Sequence, residues 1–126
     1  MAYLLNEIGT MREEKNKSLL ILVIGDNKQA ELNEKLFQAG YIPLMRNNMY
    51  KAISLLRHEQ FKAIFLKDIE SKMDALEFVL NVRDFYESIP VIVLGVSSKS
   101  EKYLKKLSNV HVAQEDKCID KLHQLV

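Results

Sequence analysis

Short apolar runs alternate with amphipathic stretches five times along this chain. The runs that predict strands are residues 19–24, 41–45, 63–66, 90–94 and 110–113. The first is a continuous aliphatic run, which predicts a central strand covered on both faces. The second contains Pro43, which lacks the amide that a central strand needs, so this strand is predicted to lie at an edge. Five alternations of strand and helix predict a parallel sheet with helices on both faces.

The stretches between these runs carry apolar residues at helical spacing. Two of the predicted helices cover residues 28–39 and 117–125, and a third begins at residue 49. A fourth follows residue 74 and has an apolar side that extends to Tyr86, and the last includes residues 104 and 107. Residues typical of helix boundaries follow the same division: Gly40 and Asn109 as terminators, and Asn47, Asn48, Asp74, Ser98 and Ser100 as amino-terminal caps.

Residues 1–17 precede this pattern and are predicted to form an amino-terminal arm or a short helix, with one domain over residues 18–126. Apolar residues recur there at roughly helical spacing, but Gly9 and Thr10 interrupt them. One interpretation is a frayed arm. The other is an amphipathic helix that docks on the domain or on a second copy. Met11 is also a candidate first residue of the native chain.

Composition narrows the functional classes. The 126 residues are 48% hydrophobic, which is enough for one domain with its own core. With 18 basic and 17 acidic residues the formal net charge is +1, so no charge bias indicates direct contact with nucleic acid or membranes. The single cysteine, Cys118, excludes an internal disulfide and is typical of the reducing cytoplasm. No apolar run approaches the roughly 20 residues of a membrane span.

Ionisable residues follow the third predicted strand directly. Residues 63–66 end in Lys67 and Asp68, and a polar loop separates them from the next helix. Open α/β sheets usually hold their sites at the carboxyl ends of the strands, so chemistry is expected at this position. Gly25 and Asp26 close the first strand in the same way, and Gly95 closes the fourth.

Other reactive side chains do not form a recognisable constellation. His58, His111 and His123 are far apart in sequence, and none stands beside a cysteine or serine in a nucleophile arrangement. Cys118 is predicted to be a small buried hydrophobic residue. The four glycines make no phosphate-binding loop. The sequence therefore predicts a protein that is not an enzyme.

From Leu19 to Leu125 the chain resembles the receiver domain of two-component response regulators. The segments that carry the resemblance are ILVIGDN, QAGY, FKAIFLKDIESKMDALE and IPVIVLGV. The resemblance implies a three-layer α/β, flavodoxin-like (βα)5 fold with a parallel five-stranded sheet of order 2-1-3-4-5. It also implies that Gly25, Asp26, Lys67 and Gly95 meet at the carboxyl edge of that sheet.

The resemblance shows where the site residues of receivers fall on this chain. The aspartate that accepts the phosphoryl group falls on Lys67, and the two adjacent acids that hold Mg²⁺ fall on Gly25 and Asp26. The hydroxyl residue after the fourth strand falls on Gly95. The Lys-Pro pair of receivers falls near Gln114 and Glu115, and the proline and glycine of their acceptor loop fall on Ser71 and Ala75. The aromatic residue of their fifth strand falls on His111; the alternative is that His111 is simply a half-buried strand residue.

These replacements predict that receiver chemistry is lost. A lysine cannot form an acyl phosphate, and Asp26 alone is a weak magnesium ligand, so no metal or cofactor is expected. We expect the Lys67 ammonium to pair with Asp26 in place of the metal; the alternative is that Lys67 extends into solvent. Asp68 is the alternative acceptor, although a shift of one residue along a strand turns a side chain to the opposite face.

The resulting hypothesis is an atypical cytoplasmic receiver in two-component phosphorelay signalling, independent of phosphorylation and acting through protein contacts. The expected partner is a histidine kinase, an output domain or another signalling protein, bound by the fourth helix, fifth strand and fifth helix; a homodimer is also possible. Lysines at positions 99, 102, 105 and 106 of the fourth helix form either a solvated face or a contact for an acidic protein. The alternatives are a phosphoaccepting receiver that uses Asp68, with Mg²⁺, and a small-ligand-binding flavodoxin-like domain with a pocket above Gly25 and Gly95.

Overall fold

Strand and helix alternate through the whole described chain. The computed structural model describes residues 18–25, 30–67, 75–86, 88–95 and 98–126. In chain order the elements are β1 (Leu20–Ile24), α1 (Ala30–Gln38), β2 (Ile42–Arg46), α2 (Met49–His58), β3 (Ala63–Lys67), α3 (Ala75–Arg83), β4 (Val91–Leu94), α4 (Ser98–Leu104), β5 (Val110–Ala113), a short 3-10 helix (Glu115–Lys117) and α5 (Cys118–Leu125). The predicted arm, residues 1–17, lies outside the described residues.

The five strands form one parallel sheet of order β2-β1-β3-β4-β5. This order confirms the predicted flavodoxin-like fold, and it puts β2 at an edge as Pro43 predicts. The Ile42 amide donates to the Leu19 carbonyl at 2.8 Å, so alternate residues of β2 face β1 and Pro43 falls between them. The amide that Pro43 lacks would point away from the sheet, and its absence costs no ladder hydrogen bond.

Two apolar layers hold the helices against the two faces of the sheet. One face carries α2, α3 and α4, with Leu22, Ile64 and Val91 of the strands at its centre. The other face carries α1 and α5, which pack on Ile21, Phe65 and their neighbours. The side chains of residues 21–24, 63–66 and 91–94 alternate between the layers and are almost completely buried, as expected for central strands of a parallel sheet.

Local signals account for several helix ends. The Asn48 carboxamide oxygen accepts from the amides of Tyr50 and Lys51 at 2.8 and 3.2 Å, which confirms the predicted cap of α2. Gly40 has a φ of 95° and follows α1 as predicted, and Asn109 has a φ of 56°, a conformation that asparagine tolerates better than most residues. The described helices include none that is long and apolar enough to cross a membrane.

Two helices are shorter than the sequence predicts. The structure ends α3 at Arg83, and Tyr86 lies beyond it, so the prediction that Tyr86 belongs to the apolar side of this helix is wrong. The Tyr86 hydroxyl instead lies 3.3 Å from both the amide and the carbonyl of Phe61. The fourth helix ends at Leu104, and a turn carries the chain through Leu107 to Asn109.

Arg83 joins two connections at the amino edge of the sheet. Its guanidinium donates to the carbonyls of Tyr86 and Ile89, before β4, at 3.1 and 2.8 Å. It also donates to the carbonyls of Ser108 and Asn109, before β5, at 2.9 and 3.3 Å. Burial lowers the pKa of Arg83, but four carbonyl acceptors compensate the charged form. One side chain thus orients the entry of both strands.

Candidate functional site

The carboxyl ends of adjacent strands bring several predicted site residues to one edge of the sheet. Lys67 is the last residue of β3, Gly95 follows β4, and Gln114 follows β5. Gly25 follows β1 and is buried, with its amide donating to the Arg46 carbonyl at 3.2 Å. Asp26, Asp68 and Ser71, by contrast, lie outside the described residues. The pairing of Lys67 with Asp26 and the acceptor role of Asp68 therefore remain predictions.

Lys67 forms an ion pair across this edge. Its ammonium nitrogen lies 2.7 Å from the Glu115 carboxylate, and the two side chains are 20% and 37% exposed. Lys67 is thus largely covered, and the alternative in which it extends into solvent is wrong. Glu115 opens the 3-10 helix that leads into α5, so the pair connects the end of β3 to the start of the last helix.

Gly95 leaves the space in which this pair forms. Strands β3 and β5 both flank β4, so their ends are roughly 9–10 Å apart, twice the spacing of neighbouring strands. The Lys67 and Glu115 side chains must meet above the end of β4, where Gly95 has no side chain to intervene. Gly95 also has a φ of 69°, a left-handed conformation that favours glycine over other residues.

A cleft of about 480 Å³ opens beside the pair. Leu94, Val112 and Ala113 supply its apolar lining, and its polar lining consists of Lys67, Glu101, Gln114 and Glu115. Each of the two carboxylates already has a cationic partner, because Glu101 lies 2.8 Å from the ammonium of Lys105. The cleft therefore combines an apolar floor with compensated charges. Within the described ranges, no group of three His, Cys, Asp or Glu side chains could hold a metal ion.

The histidines lie in three separate environments. His111 on β5 is half-buried, as expected of a strand residue, and its Nε2 is 2.9 Å from the Asn109 carboxamide oxygen. Burial, with a smaller contribution from the positive charge of Lys121, lowers the pKa of His111. His123 Nδ1 is 3.0 Å from the Tyr41 hydroxyl, and His58 is exposed at the end of α2. None of these contacts among the described residues joins a histidine to a cysteine or a serine.

Cys118 lies in the core at the start of α5, as predicted. Its side chain is fully buried, and burial, followed by the negative charge of Glu115, raises the pKa of the thiol. A protonated, inaccessible thiol is a poor nucleophile. Cys118 is therefore a packing residue.

The exposed side of α4 and of the turn after it is basic and partly apolar. Because α4 ends at Leu104, the prediction that Lys105 and Lys106 lie on this helix is wrong. Leu104 packs into the core, whereas Lys102, Lys105 and Lys106 are exposed. Tyr103 is 53% exposed, and the Lys106 ammonium lies 5.7 Å from its ring centre. We call Lys102, Tyr103, Lys105 and Lys106 the α4 surface.

Sequence reasoning missed two features of this region. The sequence predicts Glu115 only as a replacement of the Lys-Pro pair, although its carboxylate lies 2.7 Å from the Lys67 ammonium. Glu101 was not considered, although it lines the same cleft. Glu115 could have been identified from the predicted parallel sheet, because the residues that follow its strands all lie at the carboxyl edge of the sheet.

Solved structures that are similar to this chain include response-regulator receiver domains. No model of a known protein family matches the sequence, and no curated protein matches it either. The chemotaxis protein CheY4 of Vibrio cholerae is 18% identical with a TM-score of 0.75, over 86% of this chain and 99% of that one. The response regulator TrrA of Thermotoga maritima, in complex with Mg²⁺ and BeF, is 20% identical with a TM-score of 0.75, over 85% of this chain and 98% of that one.

A response regulator receiver protein of Sinorhizobium medicae gives the same result. It is 15% identical, with a TM-score of 0.74, and the match covers 86% of this chain and 94% of that one. The sheet order, the two helical layers and these likenesses agree. This chain has the flavodoxin-like fold of response-regulator receiver domains.

Proposed function

We propose that this chain is a receiver domain of two-component signal transduction that is not phosphorylated and that acts by binding another protein. The observation that carries the proposal is the ion pair of Lys67 with Glu115 at 2.7 Å. Lys67 stands where the resemblance to receivers expects the acceptor aspartate. An ammonium group cannot form the acyl phosphate that a carboxylate forms, and this one is held by a neighbouring acid.

The electrostatics of the same edge support this proposal. Phosphoryl transfer to a carboxylate needs a hard cation on oxygen ligands and donors for the new negative charge. Of the described side chains that line the cleft, the two carboxylates are both paired with lysines. The Lys67 ammonium adds a positive charge where a cation would bind. These donors fit Mg²⁺ poorly, and the proposed function requires no metal and no catalysis.

The residues at positions 95 and 114 also favour a single arrangement of the loops at this edge. Gly95 has no hydroxyl, and Gln114 is exposed and carries no charge. The Lys67–Glu115 pair connects the end of β3 with the loop after β5, and so holds the strand ends in one arrangement. A partly exposed pair contributes about 1 kcal/mol or less, which biases these loops without making them rigid.

The α4 surface supports protein contact as the role of this domain. The α4 surface exposes a tyrosine and three lysines, an aromatic and cationic combination that suits a protein interface. It lies beside β5 and the cleft, so α4, β5 and α5 form the proposed contact region for a kinase, an output domain or another signalling protein.

The experiment is a phosphorylation assay read by intact mass. The purified chain is incubated with Mg²⁺ and acetyl phosphate, beside a phosphoaccepting receiver domain as a positive control. We expect no mass increase for this chain. Addition of one phosphoryl group would overturn the proposal. If that addition disappeared in Asp68→Asn, the alternative acceptor would be identified.

The cleft favours a second candidate function, the binding of a small ligand. Its volume of about 480 Å³ falls within the usual size of small-molecule sites. Gly95 lines this cleft but Gly25 does not, whereas the sequence predicts a pocket above both glycines. Native mass spectrometry of the purified protein tests it. A retained ligand that is lost when Ala113→Phe fills the cleft would favour this candidate over a protein-contact module.

A further inference from the structure

The outer edge of β5 carries backbone groups that none of the described strands satisfies. Asn109, just before β5, accepts from the Val91 amide at 3.1 Å. Because ladder groups alternate along a parallel strand, His111 and Ala113 also face β4, while Val110 and Val112 direct their N–H and C=O groups outward. The sheet ends at β5, and no described strand pairs with this edge.

The outer edge of β2, on the opposite side of the sheet, is protected against pairing with another strand, whereas the outer edge of β5 is not. On β2, Pro43 occupies a position whose amide would point outward, which removes one donor from the outer edge. The four residues of β5 include no proline and no charged side chain. The β5 edge can therefore accept an additional strand more readily than the β2 edge.

Charge on the two sides of β5 is unequal. Toward α4, the α4 surface presents three exposed lysines, and the nearest acid, Glu101, is already bonded to one of them, Lys105. Toward α5, Lys117 and Lys121 are matched in number by Asp116 and Asp120. The excess positive charge beside the β5 edge thus comes from the α4 side.

This inequality argues against a second copy as the added strand. Two copies joined by antiparallel pairing of their β5 edges would keep the faces of the sheet continuous and bring α4 of one copy beside α4 of the other. Their lysines would then repel each other. An acidic segment avoids this repulsion and gains from the same charges.

We propose that the outer edge of β5 binds an extended acidic segment of a partner protein as a sixth strand. Side chains of a strand alternate between faces, so every second residue of this segment is acidic and lies toward the α4 surface. A segment that continues past Ala113 reaches the cleft, which residues 112–115 help to line, and can place a side chain there. This inference rests on the proposed function and specifies its partner.

Three short synthetic peptides test the proposal: one in which Glu alternates with Thr, one in which Lys alternates with Thr, and one of Glu-Pro-Pro repeats with the same number of glutamates as the first. The third keeps the acidic charge but cannot pair as a strand, because its prolines remove amide donors from both edges. The measurement is amide hydrogen exchange at Val112 in the full chain. At a concentration about ten times its Kd, the Glu-Thr peptide should slow this exchange about tenfold, because exchange then occurs from the unbound fraction.

Two variants of the chain separate the backbone contribution from the charge contribution. Val112→Pro removes an outward amide and no ladder bond, and it should abolish binding. The double variant Lys102→Glu, Lys106→Glu reverses exposed charges without touching the core, and it should weaken binding about tenfold. The second variant keeps the test valid if the first does not fold.

The outcomes distinguish this inference from the proposed function. Protection of Val112 by the Glu-Thr peptide alone, with weaker binding to the charge-reversed variant, supports strand addition. Equal binding of the Glu-Pro-Pro or the Lys-Thr peptide, or no binding of any peptide, overturns it. In that case a chain that takes up no phosphoryl group keeps its proposed function, whereas phosphoryl uptake overturns that function whatever the peptides do.

Discussion

Arg83 is the side chain whose removal should cost the fold most at the amino edge of the sheet. Its guanidinium donates to four carbonyls in two separate connections, those before β4 and before β5. Arg83→Leu keeps an apolar stem of similar length but removes all four donors. The carbonyl acceptors then depend on water, which reaches them unequally because Ser108 is exposed and Ile89 is buried.

The magnitude follows from these contacts. A hydrogen bond from a charged donor contributes about 1.5–3 kcal/mol, and a buried acceptor left without a partner costs about 1–3 kcal/mol. Water replaces much of the bonding at the exposed carbonyls, and the desolvation of the guanidinium is relieved. We therefore expect Arg83→Leu to lower the free energy of unfolding by about 3 kcal/mol, roughly two full-strength bonds. Arg83→Lys should recover less than half, because an ammonium cannot bridge both connections.

Urea unfolding followed by circular dichroism measures this loss. The matched control is Arg57→Leu, since Arg57 is an exposed arginine on α2 whose guanidinium lies 5.1 Å from the Phe85 ring centre. Such a contact contributes about 0.5–1 kcal/mol. If Arg83→Leu destabilised the chain no more than Arg57→Leu does, with an unchanged denaturant slope, the bridging role of Arg83 would be refuted.

Three further predictions concern single contacts. A double-mutant cycle with Lys67→Met and Glu115→Gln should give a coupling of about 0.5–1 kcal/mol by urea unfolding; additive losses would exclude a stabilising pair. The pKa of His111 is lowered in the folded state. Its contribution to the free energy of unfolding is therefore complete above the unfolded pKa of about 6.5 and is lost as the pH falls below that value. His111→Gln should flatten this part of the pH–stability curve, and an unchanged curve would contradict that assignment. Asn48→Ala should cost about 1 kcal/mol through loss of the α2 cap, whereas the same change at the exposed neighbour Asn47 should cost little in thermal unfolding.

Pro43 and Asn48 illustrate why the fold could be predicted from the sequence. Each acts through its own backbone or the next turn: the missing amide of Pro43 keeps β2 at an edge, and the Asn48 side chain caps α2. Such signals do not depend on the rest of the molecule. The alternation of apolar strands with amphipathic helices is equally local, and with right-handed crossovers it leaves few sheet orders to consider.

The Lys67–Glu115 pair could not be predicted from the sequence. The two residues are 48 positions apart, and the sequence offered Asp26 as another acid at the same edge. A long lysine stem can reach several acids, so its partner depends on side-chain torsions and on the paths of the surrounding loops. Sequence patterns define which residues share the edge, but they do not specify these torsions.

Arg83 was missed for a related reason. A basic residue in the last turn of a helix is a common surface feature, and it also suits the helix dipole. The four acceptors of Arg83 are backbone carbonyls, which carry no signature in the sequence. Its role becomes visible only when the two connections before β4 and β5 lie side by side.

The most direct test of the proposed function is a set of backbone amide spectra of the labelled protein. They are recorded for the chain alone, with Mg²⁺, and with Mg²⁺ and beryllofluoride, the combination present in the TrrA complex. If the site neither binds nor switches, the amides of Lys67, Gly95 and Glu115 and those of α4 should not move. Shifts at Gly95 that extend into α4 would contradict phosphorylation independence and favour Asp68 as the acceptor.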